Sequence, residues 1–213
     1  MLRFSNDILS DIELLLAKAG YKRVDGIVGK AIALYRTKNI PLNHILAEVL
    51  LAHYLASRGY DTIDIEHTVG SAKCDVYAYQ NRVTHCIEIE FGFVPPKHIL
   101  DSYEYSQARH IKKAVQLRKN GVTHISFAYP RNYIPPIPLE LLRPPSIRSL
   151  DRLHKLIALV RKYSPLDEEE ERILAHIQIH SVFIFDFTTA RVVELIPQTV
   201  EMLITLYESF LTW

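Results

Sequence analysis

The sequence predicts an α/β fold: an αβββαβ core with a mixed sheet flanked by helices, N-terminal helices before it and a C-terminal α+β extension after it. Three observations carry this reading. Apolar residues recur at helical spacing over 42–58. Three segments at 61–68, 73–79 and 83–91 then read as strands. A helical stretch at 98–119 leads into a further strand at 122–129, which adds a crossover to the meander.

Each element has a local cause. Ile8, Ile12, Leu15 and Leu16 share a helix face within 5–19, and Gly20 supplies a stop. A second helix is expected over 27–36. Leu42, Ile45, Leu46, Val49, Leu50, His53 and Tyr54 build the stronger helix, ended by Gly59. Gln80-Asn81 is the expected two-residue turn between the second and third strands. Pro95-Pro96 closes the strand block and Gly121 the following helix. Six prolines between 130 and 145 predict a stiff connector. Residues 147–163 form a basic helix. The acidic run 167–171 opens another helix, where its charge suits the positive end. Strands at 181–187 and 191–195 form a hairpin, and 199–211 a terminal amphipathic helix. The expected division is an N-terminal helical segment at 1–41, a core at 42–129 and an extension at 130–213 packed on that core.

Composition excludes several classes. The chain has 213 residues, 48% hydrophobic and 23% charged, and its apolar runs are too short to cross a bilayer. The N-terminus lacks a signal-peptide pattern, so a cytoplasmic location without membrane contact is expected. Cys74 and Cys86 are too few for a disulfide framework and are expected as reduced thiols. The net charge of +1 hides a segregation: residues 104–163 hold twelve Lys or Arg against three Asp or Glu. A basic segment beside acidic strands suits a protein that grips a polyanion.

Asp75, Glu88 and Glu90 are the residues most suggestive of chemistry. Alternation puts Cys86, Glu88 and Glu90 on one face of their strand, with Ile87 and Ile89 on the other. The expected turn sets Asp75 opposite Cys86 and Lys73 opposite Glu88, on that same face, while Val76, Ala78, Ile87 and Ile89 face the core. Carboxylates gathered this way repel one another unless a cation lies among them, and oxygen donors suit Mg²⁺ or Mn²⁺. His44 and Glu48 are four apart on one helix, but His44 is read as a packing or capping residue. His176 and His180 are read as structural. Phosphate-binding glycine loops and nucleophile elbows are absent from the sequence.

With these residues in place, the chain resembles the PD-(D/E)xK, restriction-endonuclease-like nuclease superfamily. In layout it is most similar to archaeal Holliday-junction-resolvase-like members. Glu48 matches the family's helix Glu, Asp75 its strand Asp, and Glu88 the Glu of Glu-x-Lys. The likeness covers roughly 42–129. Glu90 stands where the family usually has Lys, although a minority of its restriction enzymes carry Glu-x-Glu. The resemblance implies hydrolysis of DNA phosphodiesters by a carboxylate-bound Mg²⁺ or Mn²⁺ that activates water. Asp75, Glu88, Glu90 and Glu48 would hold metal, with Lys73 as a displaced cation. Gln107, Arg109, Lys112, Lys113, Lys119, Arg148, Arg152 and Lys155 would hold the nucleic acid. A homodimer through the terminal helix around Phe210 and Trp213 is a further implication. The alternative is an inactive nucleic-acid-binding or assembly module on the same fold, with its metal site decayed at Glu90.

Overall fold

The computed structural model describes residues 7–20, 24–38 and 40–211. Residues 5 and 6 of the expected first helix, and Trp213 of the terminal one, lie outside these. Helices α1 (Ile8–Ala19), α2 (Asp25–Lys38) and α3 (Leu42–Ser57) precede strands β1 (Thr62–Val69), β2 (Ala72–Gln80) and β3 (Val83–Ile89). Helix α4 (Ser102–Lys119) leads to β4 (His124–Pro130). Short α5 (Leu139–Leu142), then α6 (Leu150–Tyr163) and α7 (Glu168–His176), bridge to β5 (Ser181–Asp186). Strand β6 (Arg191–Leu195) and α8 (Pro197–Leu211) complete the chain.

The six strands form one mixed sheet in sequence order. Strands β3, β4 and β5 are mutually parallel, and the remaining neighbours are antiparallel. The last two strands of the extension therefore belong to the same sheet as the core. One apolar layer fills the space between the sheet and α1–α3, and includes Ile45, Leu46, Val76, Ala78, Ile87 and Ile89. The other lies against α4–α8 and includes Cys86, Ile111, Val115, Phe127 and Tyr129. Each fully buried Leu, Ile or Phe contributes roughly 1.5–3 kcal/mol of transfer free energy, so the sheet is fixed from both sides. Local caps agree with the sequence. Asp7 accepts from the Leu9 N–H, Gly20 turns left-handed with φ +80°, and Asp167 with Glu170 forms a reciprocal capping box.

The β2–β3 turn corrects the expected register. Its residues are Asn81 and Arg82, both with positive φ (51° and 66°), rather than Gln80 and Asn81. Two successive positive φ values match the twist of a tight hairpin. Tyr79 therefore pairs with Thr84, and Tyr77 with Cys86. The shift is by two residues, so it preserves which face each β3 side chain takes.

A second correction concerns Asp75. The β1–β2 ladder pairs Ile65 with Val76 and His67 with Cys74, but lapses at Glu66 and Asp75. Glu66 has φ +46° there. Cys74 packs on the α4 side, whereas Val76, two residues on, packs on the α3 side. The lapse breaks the alternation that would have carried Asp75 onto the face of Glu88.

Candidate metal centre

Helix α3 is buried almost continuously from Ile45 to His53, and Glu48 lies in the middle of that run with 0% exposure. Neither of its carboxylate oxygens has a hydrogen-bond partner among the described residues. One turn earlier, His44 holds Nε2 3.5 Å from Glu48 Oε1 and 3.8 Å from Asp75 Oδ2. Asp75 Oδ2 accepts the Ile89 N–H at 2.7 Å, which ties it to the end of β3. Glu66 of β1 completes the group: His44, Glu48, Glu66 and Asp75 each offer a donor atom within 4.8 Å of the others.

The electrostatics follow from burial. Loss of water pushes the Glu48 carboxyl up to about 7, and His44 pulls it back only in part. Burial opposes charge on His44, but attraction to Asp75 and Glu48 outweighs it and lifts the imidazole to about 10. An imidazolium thus stands between Glu48 and Asp75, while Lys73 balances Glu66 from the surface. A buried carboxylate without hydrogen bonds is costly, and a divalent cation would satisfy both Glu48 oxygens at once. Three carboxylates and one imidazole fit Mn²⁺ well, and the oxygens alone fit Mg²⁺.

Glu88 and Glu90 face the other way. Glu88 Oε2 lies 3.0 Å from Lys113 Nζ of α4, and Glu90 pairs closely with Arg109 of the same helix. Burial raises both carboxyls, and each α4 cation draws its partner back down. The charge of Asp75 also raises them, so the two groups are neighbours across β3 without sharing donors. Beneath them His110 bridges the Ser106 carbonyl and the Tyr129 hydroxyl, and burial lowers it to about 4. The expected single cluster of Asp75, Glu88 and Glu90 is thereby divided, with Glu48 joining Asp75. Lys73, expected opposite Glu88, is 57% exposed and pairs with Glu66 at 2.6 Å.

The expected basic stripe is neutralised from within. Lys112 binds Glu170 and the Pro165 carbonyl, and Lys119 binds Asp167 and Glu169. Arg148 donates to the carbonyls of Arg143, Leu174 and Ala175. Arg152 pairs with Glu140 and Lys155 with Asp151, while Gln107 lies beside Tyr103. The acidic opening of α7 accounts for much of this, because it lies along α4.

Sequence reasoning missed His44 and Glu66 as members of the site. The His44–Glu48 spacing on a buried helix was the available signal for the first. No local pattern marks Glu66. The cysteines also differ from expectation: Cys74 and Cys86 form a disulfide across β2 and β3, with Cα atoms 5.7 Å apart.

No protein-family model matches the chain, and no curated protein matches it either. Among solved structures, SfsA of Pyrococcus furiosus in complex with Ca²⁺ is similar at a TM-score of 0.32 and 12% identity. The match covers 70% of this chain, which spans only 59% of that one. A likeness this slight transfers neither fold nor chemistry. Among the described residues, no helix is long and apolar enough to cross a membrane.

Proposed function

We propose that this chain is a divalent-cation-dependent phosphodiester hydrolase acting on nucleic acid, with DNA as the expected substrate, on a restriction-endonuclease-like scaffold. One observation carries the reading: Glu48 is wholly buried, its oxygens lack hydrogen bonds among the described residues, and Asp75, Glu66 and His44 reach the same point. Element order from α3 to β4 agrees with the αβββαβ core of that superfamily. Glu48, Asp75 and Glu66 would hold Mg²⁺ or Mn²⁺, with His44 beside them. When bound, the ion supplies positive charge that polarises a phosphoryl oxygen and acidifies water. The Asp75 carboxylate is oriented by the Ile89 N–H. Arg109 and Lys113 offset Glu90 and Glu88, which makes a Glu-x-Glu strand tolerable without the usual lysine.

A second reading, a metal-binding module that holds an assembly partner without cleaving, is favoured by the internal pairing of Lys112, Lys119, Arg152 and Lys155, which withdraws cations from a polyanion. Calorimetric titration of Mn²⁺ into the parent and Glu48→Gln, with cleavage assays on linear, branched and single-stranded DNA and on RNA, separates the readings. Metal binding lost in the variant, with chelator-sensitive cleavage, supports the first. Metal binding without cleavage supports the second. Absence of metal binding overturns both.

A further inference from the structure

The Cys74–Cys86 disulfide lies against a carboxylate that the disulfide itself cannot satisfy. Both cysteines are completely buried and Glu88 is 5% exposed. Glu88 Oε2 is held by Lys113, while Oε1 lies 3.4 Å from the Cys86 sulfur. A disulfide sulfur carries no proton, so Oε1 receives no hydrogen bond from it. The two sulfurs and a Glu88 oxygen all lie within 4.8 Å of one another. Donors around a tetrahedral Zn²⁺ stand roughly 3.5 Å apart, so small side-chain rotations close the set once the S–S bond is broken. Two sulfurs and one oxygen select thiophilic cations, unlike the oxygen-rich group around Glu48.

We propose that Cys74, Cys86 and Glu88 form a second metal site, opened by reduction of the disulfide, that takes a thiophilic divalent cation such as Zn²⁺ or Cd²⁺. A dithiol reductant supplies two electrons and two protons: its S–H bonds break, it becomes a disulfide, and the Cys74–Cys86 bond yields two thiols. The cation then releases those two protons to solvent and forms two metal–sulfur bonds and one metal–oxygen bond. Lys113 stays on the other Glu88 oxygen.

The test titrates Cd²⁺ into the full chain, reduced and oxidised, and follows sulfur-to-metal charge-transfer absorption in the ultraviolet. The reduced chain should show a band that saturates at one equivalent; the oxidised chain and Cys86→Ser should not. Glu88→Gln should keep the band but weaken affinity by at least the roughly tenfold that loss of a ligand's supporting partner costs. Two thiols counted in denaturant, with no band in the folded reduced chain, would overturn the proposal. So would unchanged affinity in Glu88→Gln. If reduction unfolds the chain, Cd²⁺ should restore its far-ultraviolet circular dichroism, and a chain left unfolded with Cd²⁺ overturns the proposal equally. Glu48→Gln should leave the band as in the parent, so this site and the Glu48 site fail or stand separately.

Discussion

The two sides of β3 carry the same residue type in opposite electrostatic states. On the α4 side, Glu88 and Glu90 are each matched by a cation of the protein's own, Lys113 and Arg109. On the α3 side, His44 lies between Glu48 and Asp75, Glu66 pairs with the exposed Lys73, and neither Glu48 oxygen accepts a hydrogen bond among the described residues. Carboxylates that fold against lysine and arginine have their charge matched as they stand. Carboxylates that fold against one another are complete only with something added. The comparison therefore assigns structural work to Glu88 and Glu90 in the oxidised chain, and ion capture to Glu48 and Asp75.

The largest expected effect is on the matched side. Lys113→Ala leaves Glu88 buried without its ammonium, and breaking such a pair costs roughly 3 kcal/mol. Urea denaturation should show this loss, and adding Glu88→Gln should recover most of it. Next comes the cation itself. At one hundred times its dissociation constant, a bound ion adds about 2.7 kcal/mol. Mn²⁺ should thus raise the melting temperature of the parent and leave that of Glu48→Gln unchanged.

Proton linkage gives Glu48 and His110 opposite signs, each effect up to about 3 kcal/mol. Glu48 has a folded pKa raised to about 7, above its unfolded value of 4.5. The native state then binds the extra proton, so its contribution grows as pH falls from 7 toward 4.5. His110 is lowered to about 4 from 6.5. Its contribution is present above 6.5 and is lost as pH falls toward 4. Denaturation curves across this window should show the first trend weakened in Glu48→Gln, Glu88 and Glu90 supplying the remainder, and the second weakened in His110→Gln. The smallest effect is at the surface: Lys155 and Asp151 are both largely exposed. Lys155→Ala should leave both stability and nucleic-acid affinity unchanged within error, because Asp151 already takes its charge.

Much of the fold was legible because its signals are local. The apolar period of α3, the stop at Gly20 and the acidic cap of α7 need only neighbouring residues. The two-residue register error was small because Asn81 and Arg82 both accept left-handed conformations, and parity protected the faces of Val76, Ala78, Ile87 and Ile89. The site was less legible. Strand alternation assumes an unbroken ladder, and the lapse at Glu66 and Asp75 is a β1–β2 property invisible in β2 alone. The pairing of Lys112 and Lys119 with α7 joins residues about fifty positions apart. A charge count along the chain reads such residues as a free surface. The disulfide was obscured because two cysteines twelve apart carry no signal of their contact once the strand between them turns.

The central claim is that the buried Glu48 carboxylate, without a hydrogen bond among the described residues, marks a cation site. Anomalous diffraction from a crystal soaked in Mn²⁺ tests it most directly. The account predicts one strong peak bounded by Glu48, Asp75, Glu66 and His44, lost in Glu48→Gln. A peak between Glu88 and Glu90 with none at Glu48, or no peak at all, would contradict it.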